Sequence, residues 1–384
     1  MLSGKITFYY QQAAISGLFG LVINKEHPST DFMLKLVRQN YFPIKEDRSQ
    51  MEQLIGRKID NDIVNKNGIT IVPAQTVLTR EAIRLIINHN IDPRVIILCS
   101  RDQAIYQSNQ LFQETVSKSK ELFQYISFSH KVPLTEISEE ILPAIHDVSQ
   151  HRDIFELIEV VRAKDDYTYQ HNIGVGVLST LIGRWMNLGE AELSVLSLAA
   201  TLHDVGKIKI PIEILNKPGK LTDDEYELIK KHTVYGYDML KETSGSNPLI
   251  ARVALQHHER EDGGGYPLGL KKHNIELFSS IVAVADIFHA MSSERPYHEP
   301  LSFHDIITQM EHGRFGELNP HIVSVFIENI MQKTVGQQVV LTDGRRGEVV
   351  LLNPHRINTP LIKIDEQFID LSQEEGLRIK EIIS

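Results

Sequence analysis

Between His171 and Asp286 the chain carries His203-Asp204, His232 and His257-His258, side chains able to hold a metal, at intervals that match successive helices. Imidazole and carboxylate without thiolate suit Fe, Mn or related divalent ions and do not choose among them. The 384 residues include one cysteine, Cys99, so a disulfide within the chain and a cysteine metal cluster are both excluded. Any bound ion must be held by His, Asp or Glu, and the cysteine usage points to a reducing cytoplasm. A single His on an apolar helix face is more often a hydrogen-bonded core residue than a ligand, so the weight rests on the set. Asp286 differs because it interrupts the apolar run from Ile281 to Ile287. A carboxylate buried there needs a cation or a full complement of hydrogen bonds, a structural salt bridge being the simpler alternative.

Adjacent residues on a helix diverge by roughly 100°. His203-Asp204 and His257-His258 therefore cannot chelate one ion from within a regular helix. They suit a helix end that unwinds, or a site with two ions about 3.5–4 Å apart, the arrangement that drives in-line attack on phosphoryl groups.

A helical bundle can project all these side chains into one cavity, and the local signals predict one. Thr222-x-x-Glu225 is a capping box opening a helix to about Glu242. Asn247-Pro248 starts a helix ending near His257 and His258. Further helices are expected from Ser279 to Ser292 and from Ser302. Upstream, Asn67-Gly68 between β-branched runs at Asp62 to Val72 is a hairpin signal, followed by an amphipathic helix entered through Thr79; residues 102–150 read as mostly helical. The apolar run Ala13 to Ile23 is too short and too glycine-rich to span a bilayer and reads as buried core rather than a signal peptide. After Val335 short β-branched runs alternate with turn residues. The expected architecture is multidomain and mainly α. It has a mixed α/β accessory or regulatory domain over residues 1–150, a central all-α helical domain over 151–333, and a small antiparallel β module over 334–384. A net charge of −10 argues against binding duplex nucleic acid, and an anionic substrate would need local positive charge such as metal ions.

"HDVGKIKIP" at His203 to Pro211, "NKPGKLTDDE", "HHEREDGGGYPLGL" and "VAVADIFHAMSSERPYH", with "DDYTYQH" ending at His171, closely resemble the HD-GYP family of HD-superfamily phosphohydrolases. The resemblance covers about residues 160 to 330. It implies a helical bundle with a metal centre that hydrolyses the bacterial second messenger cyclic di-GMP to linear pGpG, with GMP as a further product, by attack of a metal-bridging hydroxide. Carried over by position, it assigns His171, His203, Asp204, His232, His257, His258 and Asp286 as metal ligands, with Asp204 as the bridge. Lys207 and Arg295 would lie against substrate phosphate. Gly263, Gly264 and Gly265 would let the backbone approach a bulky ligand, and Tyr266 and Pro267 would complete the signature loop. Tyr167 stands where some members place a glutamate ligand for a third ion, so two divalent ions, Fe or Mn, are expected. His298 stands where a lysine or arginine often follows, which implies a weaker or pH-sensitive phosphate contact, and Glu261 stands where an aromatic residue is common. Two other readings stay open: a phosphohydrolase of another nucleotide, and a non-catalytic sensor that binds cyclic di-GMP or a diguanylate cyclase (GGDEF) partner. A homodimer is a further expectation.

Overall fold

The computed structural model describes residues 51–383 apart from 52–53, 93–94, 152, 163–166, 218, 294–300 and 312–317. The chain separates into two compact units, Met1–Gln103 and Ala104–Ser384. The Ala13 to Ile23 run lies outside the described residues, as do all of residues 1–50 of the expected mixed α/β region.

In the first unit β1 (Ile63–Val64) pairs antiparallel with β2 (Thr70–Val72). Gly68, at φ 75°, takes the left-handed position of the turn, and the Asn65 side chain accepts from the backbone N–H groups of Asn67 and Ile69. The following helix α1 (Arg80–Asn88) is capped by Thr79, whose hydroxyl accepts from Ala82, and buries Ala82, Ile83 and Ile86.

The second unit is mainly helical. After α2 (Ser100–Ser129) come α3 (Leu134–Glu140), α4 (Leu142–Val148), α5 (Ile154–Val161) and α6 (Tyr167–Trp185). Then follow α7 (Glu190–Thr201), a 3-10 turn at Val205–Lys209, and α8 (Ile212–Leu215). The bundle continues with α9 (Asp223–Lys230), α10 (His232–Glu242), α11 (Pro248–Gln256) and α12 (Leu277–Ser292), and closes with α13 (Phe303–Glu311) and α14 (Pro320–Gln332). One apolar core runs through it. Phe112, Ile126, Ile137 and Ile145, upstream of residue 150, share that core with Val175, Leu196, Val253, Val284 and Phe326. Phe288 meets Phe326 edge to face at 4.8 Å, joining α12 to α14.

One helix differs from expectation. The capping box at Thr222 is present, but the helix it opens is interrupted at Lys231 instead of running unbroken to Glu242. The ring of His232 donates to the Ile229 carbonyl at 2.7 Å and the hydroxyl of Thr233 to that of Lys230 at 2.9 Å. These side chains compete for carbonyls of the last turn, and the axis breaks there. His232 consequently opens a helix rather than sitting in mid-helix.

The tail folds as expected into a small antiparallel sheet, in the order β6 (Gln367–Asp370), β5 (Leu361–Ile364), β4 (Arg346–Leu351), β3 (Gln338–Leu341), β7 (Ile379–Ile383). Val339, Leu341, Val349, Ile362 and Ile379 pack one face into its own small core.

Candidate metal centre

Three histidines reach the centre by the same local device. The Nδ1–H of His203 donates to the carbonyl of Ala200 at 2.7 Å, that of His232 to Ile229 at 2.7 Å, and that of His257 to Ala254 at 3.0 Å. Each bond runs back three residues to a carbonyl in the last turn of the preceding helix. Because a carbonyl only accepts, the proton sits on Nδ1 and the Nε2 lone pair is left for the cavity. Helix ends that would otherwise need capping are thus capped by the rings that face the site.

Those rings converge on Asp204, in the turn after α7. Its Oδ1 lies 3.2 Å from His232 Nε2 and 3.7 Å from His257 Nε2. Its Oδ2 lies 3.3 Å from His203 Nε2, 3.8 Å from His171 Nε2, and against the Lys207 ammonium. Two groups able to hold an ion result, Asp204 with His232, His257 and His258, and Asp204 with His171 and His203, sharing the one carboxylate. Asp286, from α12, places Oδ1 3.1 Å from His171 Nε2. All seven side chains proposed as ligands from the sequence are brought together.

The donor set fits divalent ions. Bonds of about 2.1 Å put neighbouring ligands about 3.0–3.4 Å apart, close to the separations of 3.1–3.3 Å seen here. His203 Nε2 and Asp204 Oδ1 are buried without a hydrogen-bond partner, which is unfavourable unless a cation joins them. Burial alone would raise Asp204, but the Lys207 ammonium and the His203 ring outweigh it and hold the carboxyl well below the usual range. Burial would also raise Asp286, and the His171 ring beside it overcomes that and holds the carboxyl well below the usual range. Burial lowers His171 and His258, and takes His257 down to about 4. Ionised carboxylates and neutral imidazoles are the ligand-competent forms.

Of the residues expected to meet substrate, Lys207 is partly exposed at the edge of the centre. Tyr266 stacks on His258 with ring centroids 4.7 Å apart, and burial raises its phenol. Gly264 donates its N–H to Asp262 at 2.7 Å, and the Tyr266-Pro267 peptide is cis. The need for glycine at 265 turns out to be internal. A Cβ there would collide with the backbone of His258, Glu259 and Arg260, so the loop folds flat onto its own stem, whereas room for a ligand was the expected reason. Glu261 accepts from the Asn319 side chain at 2.7 Å. Arg295 and His298 lie outside the described residues, as does the side chain of Tyr167.

Other residues of the site escaped sequence reading. Glu259, 3% exposed, accepts from the backbone N–H groups of Leu268 at 2.7 Å and Leu270 at 2.8 Å and clips the glycine loop shut. Gly206 lets the 3-10 turn lie on the backbone of α10, where a Cβ would strike the His232 carbonyl. His289, fully buried one turn after Asp286, lies 3.1 Å from His171, ring nitrogen to ring nitrogen, and Gly174 leaves room for it. The motif spacings carry no signal for His289 or Glu259, because their partners are distant backbone groups or residues on another helix.

A helical bundle whose helix ends aim histidines at a shared aspartate defines an HD-type domain, and residues 157–316 match the HD domain family. A cyclic di-GMP phosphodiesterase of Pseudomonas aeruginosa is 34% identical over 271 residues, 70% of this chain and 61% of the relative. A cyclic di-GMP phosphodiesterase of Thermotoga maritima is 40% identical over 182 residues, 46% of this chain and 49% of the relative. The 3'3'-cGAMP-specific phosphodiesterase 1 of Vibrio cholerae is 33% identical over 237 residues, 61% of this chain and 54% of the relative. The chain thus spans between 49% and 61% of the length of these relatives. With the HD pair at 203–204 and the GYP loop at 265–267, it belongs to the HD-GYP family. No helix among the described residues is long and apolar enough to cross a membrane.

Proposed function

We propose that the chain is a cyclic di-GMP phosphodiesterase, opening the cyclic dinucleotide to linear pGpG. The observation that carries this reading is the placement of Asp204, one oxygen facing His232 and His257 and the other facing His171 and His203. His171, His203, Asp204, His232, His257, His258 and Asp286 would hold two divalent ions, Fe or Mn, which when bound would supply Lewis-acid charge and lower the pKa of water for phosphodiester hydrolysis. The chain's own groups do the rest. The backbone carbonyls of Ala200, Ile229 and Ala254 hold three rings in one tautomer and orientation before substrate arrives. Lys207 sets a positive charge beside Asp204, where it can stabilise a phosphoryl oxygen. Tyr266, stacked on His258, forms a flat wall that suits a nucleoside, and the 263–270 loop clipped by Glu259 shapes that side of the pocket.

The test is anaerobic loading with Fe or Mn followed by chromatography of cyclic di-GMP incubations, with Asp204→Ala as control. Appearance of pGpG only with the native residue supports the reading; equal turnover by the variant overturns it. A second substrate is favoured by a specific observation, the similarity to a 3'3'-cGAMP-specific enzyme, so the incubations carry both dinucleotides. Binding of cyclic di-GMP or of a diguanylate cyclase without turnover in metal-replete protein would assign an adaptor role in place of the enzymatic one.

A further inference from the structure

His289 closes a directional chain of hydrogen bonds that starts at a backbone carbonyl and ends at the metal centre. Its Nε2 lies 2.8 Å from the Val161 carbonyl, which can only accept, so Nε2 carries the proton. In the neutral ring Nδ1 is then an acceptor, and it lies 3.1 Å from His171 Nδ1 and 3.3 Å from the Ser293 hydroxyl, both able to donate. His171 must therefore carry its proton on Nδ1. Its Nε2 is turned toward Asp286 Oδ1 at 3.1 Å and Asp204 Oδ2 at 3.8 Å. Lone pairs of a ring nitrogen and a carboxylate facing each other at that distance repel unless a cation or a proton stands between them.

The other three rings of this kind, His203, His232 and His257, take their orientation from a carbonyl on their own helix. His171 sits early in α6, with its ring nitrogen directed at another helix. Gly174 supplies the space, since a Cβ at that position would overlap the His289 ring.

We propose that His289 is a positioning residue, which holds His171 as the Nδ1–H tautomer and so presents Nε2 to the ion on the Asp286 side of Asp204. The proposal rests on the metal-centre reading above. It is separable from it, because the proton position on His171 can be read without any metal.

The experiment is nitrogen NMR of histidine-labelled protein, metal-free and loaded with Zn2+, with His171 assigned from the spectrum of His171→Gln, together with Zn2+ titrations of two variants. The expected result is a proton on His171 Nδ1 in both states. In His289→Leu, which has no acceptor, one of two Zn2+ sites should weaken by about 10- to 100-fold. In His289→Asn, whose amide oxygen can occupy the place of Nδ1, affinity should largely return. A proton on Nε2 with Nδ1 bare, or native Zn2+ affinity in His289→Leu, overturns the proposal. Absence of Zn2+ binding by the native chain would sink the metal centre, and the metal-free spectrum would still decide the tautomer. Should His289→Leu not fold, the native spectrum and His289→Asn give the answer.

Discussion

The α carbon of Gly206 lies so close to the carbonyl of His232 that no side chain fits between the 3-10 turn and α10. This contact brings Asp204 and Lys207, on one element, within reach of His232, on the other. Gly206→Ala should force the two backbones apart, destabilising the fold by about 1–3 kcal/mol as an overpacked core position does. It should also weaken metal binding at the His232 side. Urea unfolding and a metal titration check both, and an unchanged midpoint would contradict the packing argument.

Asp204 and Asp286 should differ in what they remove. Asp204 serves both ligand groups, so Asp204→Asn should take metal content from about two ions per chain to near zero. Asp286 is paired with His171, and Asp286→Asn should leave about one. Elemental analysis after identical reconstitution decides it. Equal losses in the two variants would mean that Asp204 is not shared.

Lys207 should matter to turnover more than to assembly. Its ammonium lies at the exposed edge of the centre against Asp204. Lys207→Ala should retain both ions and lower kcat by about 100-fold, as loss of one charge-stabilising donor does. Retained turnover would return the residue to a simple ion pair.

Glu259 is a buried carboxylate that satisfies two backbone N–H groups of the glycine loop. Glu259→Ala should leave both unpaired, at about 1–3 kcal/mol each where they stay shielded from water. The loop should then become sensitive to proteolysis near residues 263–270 and KM should rise, with metal content unchanged. A loop as resistant as the native one would exclude this role.

Acid should destabilise the metal-free protein. Burial holds His171 and His258 below the ordinary imidazole value, and His257 at about 4 against 6.5. The unfolded chain takes up these protons at higher pH than the folded one. The stability they contribute is therefore present above about pH 6.5 and is lost as pH falls toward 4. His203 opposes this, since burial would lower it but the Asp204 charge raises it. For His257 alone the loss is up to about 3 kcal/mol. Denaturation midpoints of chelator-treated protein at neutral and acid pH test the sign, and a midpoint that climbs on acidification would reverse it.

Much of this was readable from short stretches. The capping residues Thr79, Thr222 and Asn247 start helices where a side-chain oxygen follows the ordinary rules, and the Asn67-Gly68 turn joins two strands. The HD pair and the paired histidines before the glycine loop marked the centre because adjacent ligands suit a helix end that unwinds or a site of two ions. Where the reading fell short, the competing bond was a side chain's. His232 and Thr233 break a helix that propensity alone would have continued to Glu242.

Residue type, spacing and the motif resemblance were enough to propose the ligands, since only imidazole and carboxylate were available and their order along the chain is local information. The pairing of His289 with His171, 118 positions earlier, and the collapse of Gly265 onto its own stem came from packing. They depend on which helices lie side by side, and that is settled by burial of a common apolar core drawn from Phe112 to Met331, to which no short segment alone points.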